Sequence, residues 1–202
     1  ALGAAPPIFA HFPLLIGADG EGLSKRLGSL SIEELRADGI EPLAVASHLA
    51  KLGTSEPVAA RDSLETLAKD FAWEKIGRAP ARFDVEELKR VNAEVLHQME
   101  YAAAKPRLAV LNADHGEDFW QAVRGNLAVF DDVSLWAGVV SGEIAPVVEN
   151  AEFLSVAAAL LPAGPYDETA WSAWTNAVKA KTGANGKQLY MPLSLGLTGQ
   201  PH

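Results

Sequence analysis

"DVEELKRVNAEVLHQM", residues 84–99, is the stretch whose reading decides the fold. Asp84 followed three residues later by Glu87 is a capping box, in which two side chains satisfy free N–H groups at a helix start. Val85, Leu88, Val91, Val95 and Met99 then recur at helical spacing, so one stripe is apolar and the opposite side is charged. The same grammar runs to either side. Ser31 with Glu34 starts a short helix that stops near Gly39, and Pro42 opens another, "PLAVASHLAKLG", with Gly53 just past its end. Asp62 with Glu65 repeats the capping pattern before "SLETLAKDF". The pattern breaks only near the start, where "PPIFAHFPLLIGADGEG" reads as a strand or extended piece entering a glycine-rich loop.

Beyond residue 103 the texture becomes Ala- and Leu-rich, in segments such as "EDFWQAVRGNLAVFDDVSLWAGVV", "NAEFLSVAAALL" and "DETAWSAWTNAVKAKTG". Asp167 caps the last of these, Trp171, Trp174 and Val178 share one face, and Gly183 ends it. The fold class expected is mainly α, with helix packed on helix and boundaries near 103–106 and 146–151.

Composition bounds the function. The 202 residues carry 26 Asp+Glu against 17 Lys+Arg, a net charge of −9, so nucleic acid can be bound only through a local basic patch. There is no cysteine, which excludes disulfides and thiolate metal sites and is compatible with a reducing cytoplasm. "FLSVAAALLP", the longest apolar run, is too short to span a bilayer, and no charged-then-apolar signal opens the chain. The start "ALGAAPPIF", without Met, points to a piece of a longer polypeptide.

Against this acidic background, "DGEGLSKRLG" presents Ser24, Lys25 and Arg26 on a glycine-flanked turn. Adjacent cations there can approach phosphate oxygens closely; on the tetrapeptide alone, a solvated loop is the simpler reading. The longer stretch "HFPLLIGADGEGLSKRLGSLSIEELRADGIEPLAVASHLAKLGTS" resembles the second signature region of bacterial glutamyl-tRNA synthetases, with its K-L-S-K-R loop. "FAWEKIGRAPARFDVEELKRVNAEVLHQM" looks like that family's stem-contact region, and "PYDETAWSAWTNAVKAKTGANGKQLYMPLSLGLTG" like its anticodon-binding region.

The resemblance implies the C-terminal portion of a glutamate–tRNA ligase. Residues 1–21 would end the catalytic domain, and 22–103 would form a small α+β stem-contact domain. Residues 104–150 and 151–202 would form two helical anticodon-binding subdomains, the second incomplete. It further implies that Leu23, Ser24, Lys25 and Arg26 bind ATP, with Lys25 neutralising phosphate as glutamyl-adenylate forms. Gly22 departs from the family pattern at the first loop position, where lysine is usual. The family's nucleotide-binding half, with its H-x-G-H type motif, has no counterpart here, so this stretch alone is expected to be inactive. ATP with Mg, glutamate and tRNA are the implied substrates and partners, and a cytoplasmic monomer is implied.

Arg78 and Arg82 fall in the stem-contact block, and Lys179, Lys181 and Lys187 in the anticodon block, where each is either a tRNA contact or a solvated cation. Ser194 stands where the family commonly has arginine, which weakens base readout there. His11, His48, His97, His115 and His202 lack paired ligand spacing, so no metal is assigned. Trp171 and Trp174 read as core rather than as base-stacking platforms. Two other readings stay open: a stand-alone, non-catalytic tRNA-binding module, and a helical interaction scaffold.

Overall fold

Helix α1 (Ile32–Ala37) begins at the expected capping box. The Ser31 N–H donates to Glu34 Oε2 at 2.9 Å, and the Glu34 N–H donates to Ser31 Oγ at 3.0 Å. The computed structural model from which this geometry is taken describes residues 3, 9–17, 20–23, 31–142, 144–167 and 169–200. After α1 come α2 (Pro42–Lys51), α3 (Leu64–Asp70), α4 (Val85–Gln98), α5 (Tyr101–Val110) and α6 (Glu117–Val123). Next follow α7 (Val133–Ser141), α8 (Ala151–Ala159), α9 (Ala170–Thr182) and α10 (Lys187–Thr198). Two short strands, β1 (Leu15–Ile16) and β2 (Ala81–Arg82), pair in parallel, Leu15 opposite Ala81 and Ile16 opposite Arg82. A parallel pair needs a long crossover, and α1 to α3 supply it. The mainly helical class with a small α+β part is therefore the observed one.

Two of the capping expectations shift in detail. At α3 the cap is Ser63, whose Oγ accepts from the Thr66 N–H at 3.1 Å, because the helix starts one residue later than Asp62 would require. At α4, Asp84 Oδ1 accepts from the Glu86 N–H at 2.9 Å, and Glu87 is turned toward His48 and Arg90 instead of completing a box. α9 keeps Asp167 as its anchor, accepting from the Thr169 and Ala170 N–H groups at 2.9 and 3.1 Å. The composition change at 103–106 is not an element boundary, since α5 runs through it with Pro106 inside the helix.

The chain divides into two compact units, residues 1–134 and 135–202. In the first, α2 lies along α4. Their apolar stripes merge into a core of Leu35, Ile40, Ala44, Ala60, Phe83, Leu88, Val91 and Val95. Asn92, fully buried on α4, ties this core to its surroundings. Its Oδ1 accepts from the Glu41 N–H at 2.7 Å, and its Nδ2 donates to the Ala128 and Gly39 carbonyls at 2.8 and 3.4 Å. Arg107 of α5 grips the same corner with two bonds to the Glu41 carboxylate, at 2.8 and 3.0 Å, and lies 3.7 Å over the Phe130 ring. The turn there uses Gly39 at φ +76°, where an added Cβ would stand 3.0 Å from Val129 Cβ.

In the second unit Ala157, Trp174, Val178, Leu189 and Leu193 form the core. Trp174 donates its indole N–H to the Ala157 carbonyl at 2.8 Å, so its one polar atom is satisfied inside. Trp171, beside it on α9, remains 46% exposed. Gly196 lets α10 approach α8, because a Cβ there would stand 3.3 Å from Leu154.

Asn92→Ala strands the Glu41 N–H and the Ala128 carbonyl in the core, and should lower unfolding free energy by about 3 kcal/mol. Asn150→Ala removes only an exposed helix cap and should cost about 1 kcal/mol. Urea unfolding of both variants measures the contrast; equal losses would refute the role given to Asn92.

Candidate functional site

β1 is followed by a tight reversal. The Gly17 N–H donates to the Glu21 carbonyl at 2.7 Å, and Gly22 bridges back to Ile16. The chain then leaves through Leu23, which is half exposed. Ser24, Lys25 and Arg26 lie outside the described residues, and the description resumes at the Ser31 cap of α1. Of the four loop residues, Leu23 alone is thus placed, beside Gly22 and its bridge to Ile16.

Arg78 and Arg82 are exposed on the segment that enters and forms β2, and neither makes an ion pair among the described residues. They border an open groove of about 610 Å³ lined also by Thr54, Ser55, Glu74 and Gly77. Two free guanidinium groups beside a shallow groove can meet phosphates, since arginine presents planar, paired donors.

The same groove is lined by part of an ion network that sequence reading missed. Lys51, at the end of α2 and 5% exposed, donates to Glu56 Oε2 at 2.5 Å and stands 3.8 Å from Asp70. Lys75 meets the other Glu56 oxygen at 2.8 Å, and Arg61 Nε donates to Asp70 at 2.8 Å. The bond from Lys51, then that from Lys75, hold the Glu56 carboxyl at about 2 against a usual 4.5. These cations are consumed locally, which separates them from Arg78 and Arg82. The partners are joined across loops rather than along one helix, so no local spacing in the sequence signals them.

In the second unit, Lys179, Lys181 and Lys187 are exposed and unpaired among the described residues. Residues 135–202 hold no other Lys or Arg, while their five acidic residues all lie between 143 and 168. Charge is thus segregated along the chain. The three lysines do not form one array, however. Successive helix residues turn about 100°, so Lys179 and Lys181 leave α9 about 200° apart. Both sit in its last turn, where cations suit the helix dipole, but Lys187 is the first residue of α10, where the dipole disfavours a cation. Lys187 therefore has no helix-end rationale. Ser194 donates to the Gln200 carbonyl at 2.9 Å and so serves the end of α10. No group of acidic or imidazole side chains among the described residues is arranged to hold a metal ion.

No protein-family model matches the chain. It is 54% identical over 201 residues to glutamate–tRNA ligase 1 of Maricaulis maris, covering 99% of this chain and 45% of that protein. It is 53% identical to glutamate–tRNA ligase 2 of Hyphomonas neptunium, covering the whole chain and 46% of the relative. The chain thus spans about half the length of the curated relatives it matches. Among solved structures, a glutamate tRNA ligase from Elizabethkingia meningosepticum, crystallised with its amino acid, superposes with a TM-score of 0.64. That match covers 98% of this chain and 47% of that one, at 19% identity, and shows the shared fold.

Protonation of Glu56 removes the charge that pairs with Lys51 and Lys75 and weakens both bonds. Because its folded value lies below the unfolded one, this stabilisation is present above about pH 4.5 and fades as pH falls toward 2. A carboxyl NMR titration should find the Glu56 midpoint near 2, rising in Lys75→Met; a midpoint near 4.5 in the parent would contradict the network.

Proposed function

As a partial homologue of bacterial glutamate–tRNA ligases, aligned with their C-terminal part, the chain carries a family reading, and we propose that its 202 residues act within such an enzyme. In this reading the intact protein activates glutamate with ATP and Mg and esterifies it to tRNA. The observation that carries the proposal is identity of 50–54% along the whole chain to proteins of that activity. Glutamate and most of the ATP would be held by the remainder of the enzyme. Residues 1–202 would contribute the phosphate-facing loop and the surfaces that meet tRNA.

Each group has a physical task. Leu23, Ser24, Lys25 and Arg26 form the ATP loop, with Lys25 placed to offset charge on the phosphates as the adenylate forms. A cation aimed where negative charge develops stabilises the transition state more than the ground state. Arg78 and Arg82, free of carboxylate partners among the described residues, face the tRNA stem backbone. Lys179, Lys181 and Lys187 supply the only positive charge of the second unit and meet backbone phosphates near the anticodon. The working compartment is the cytoplasm and the enzyme a monomer. No helix among the described residues is long and apolar enough to cross a membrane.

The direct test is glutamate-dependent ATP–pyrophosphate exchange by the longer polypeptide that contains these residues. Lys25→Ala should slow adenylate formation roughly a hundredfold, about 3 kcal/mol, while leaving tRNA affinity nearly unchanged. An unaltered rate would remove Lys25 from the chemistry.

Binding of tRNA should weaken steeply as salt rises, because each neutralised phosphate releases counterions. Replacing Lys179, Lys181 and Lys187 by Gln should flatten the slope of log affinity against log salt, by at most about 0.9 for each phosphate no longer neutralised. A triple variant with the parent's affinity and slope would leave the three lysines as solvated cations.

A further inference from the structure

Five polar or charged side chains are buried among the described residues: Ser47, His48, Lys51, Asn92 and Thr175. Four have partners. Ser47 Oγ accepts from the Arg61 N–H, Lys51 and Asn92 are bonded as described, and Thr175 donates to the Trp171 carbonyl. His48 differs. It has no exposed surface, and neither ring nitrogen has a hydrogen-bond partner among the described residues. A neutral imidazole carries one donor and one acceptor, and here both are desolvated without return.

The surroundings say what that ring is set up to do. Phe83 meets it edge-on with centroids 4.9 Å apart, an apolar contact. Glu87 Oε2 lies 3.8 Å from Nδ1, too far for a hydrogen bond yet close enough to attract an imidazolium. The charged groups that act on His48 are Glu87, Asp84 and Arg90, all from α4 or its cap. Lys51, one turn along α2, is engaged by Glu56. Glu87 is itself shared, with Arg90 3.8 Å from its other oxygen, and Asp84 is occupied in capping Glu86. A charge on His48 would thus sit in the α2–α4 seam with only a divided carboxylate to answer it.

We infer that His48 is an acid-sensitive lock on the packing of α2 against α4, closed while the ring is neutral and released when it takes up a proton. Burial, the largest influence, pushes the imidazole below its usual 6.5, while Glu87 and Asp84 pull it up and Arg90 adds to the lowering. The unfolded chain takes up the proton near 6.5 and the folded one resists it, so stability is complete above that pH and declines as pH falls below it. The lock rests on the α2–α4 geometry and stands whether or not the ligase reading does.

The experiment is urea unfolding of the full 202-residue chain and of His48→Leu at several pH values between 7 and 5. Over that range the folding constant of the parent should fall by up to roughly 25-fold more than that of His48→Leu, the limit when the folded ring stays neutral. The second readout is NMR titration of the His48 ring in the folded parent and in Glu87→Gln. The midpoint should lie below 6.5 in the parent and lower again in Glu87→Gln, where the attracting carboxylate is gone. Parallel pH dependence of parent and His48→Leu would overturn the inference, as would a ring midpoint at or above 6.5.

Discussion

The packing of α2 on α4 is the constraint on which the first unit depends. It brings a buried amide, Asn92, against the corner between α1 and α2, where one side chain accepts from Glu41 and donates to Gly39 and Ala128. Leaving such groups unpaired in a core costs far more than pairing them gains, so the corner is held in one arrangement. Because α1 enters that corner from the loop region, and β2 enters α4 through Phe83, the parallel pair and the helices share one frame.

That frame sorts the cations by use. Lys51, Lys75 and Arg61 are drawn into carboxylates and hold the connection between α2 and α3 together. Arg107 is spent on Glu41 and Phe130. Exposed cations without an ion pair among the described residues include Arg78 and Arg82 beside β2 and the three lysines around the α9–α10 turn, and also Arg36, Lys69 and Lys105. On a chain of net charge −9, unpaired cations are what a polyanion would find. The segregation of acids from lysines within residues 135–202 belongs to the same logic.

Local rules carried the sequence reading where the interaction itself is local. The Ser31–Glu34 box, the start of α2 at Pro42 and the αL stop at Gly183 were all readable, because each is decided within four residues. The Asp62 expectation missed by one residue, since Ser63 is an equally good cap and the helix start chose between them. The change of texture at 103–106 falls inside α5, where Pro106 does not stop the helix. Asn92, Arg107 and His48 could not be found from sequence. The hydrogen-bond partners of the first two lie between 36 and 66 residues away, and for His48 the signal is a missing partner, visible only once α4 is in place. The family resemblance supplied what no spacing rule could, the phosphate-facing role proposed for Lys25.

If these residues belong to an enzyme that attaches glutamate to tRNA, the longer polypeptide containing residues 1–202 must charge purified tRNA. Aminoacylation with radiolabelled glutamate and ATP–Mg measures this. Glutamate should appear in an alkali-labile ester at the tRNA 3′ end, and only when ATP is present. Failure to charge any tRNA with glutamate, or charging with a different amino acid, would contradict the proposed activity.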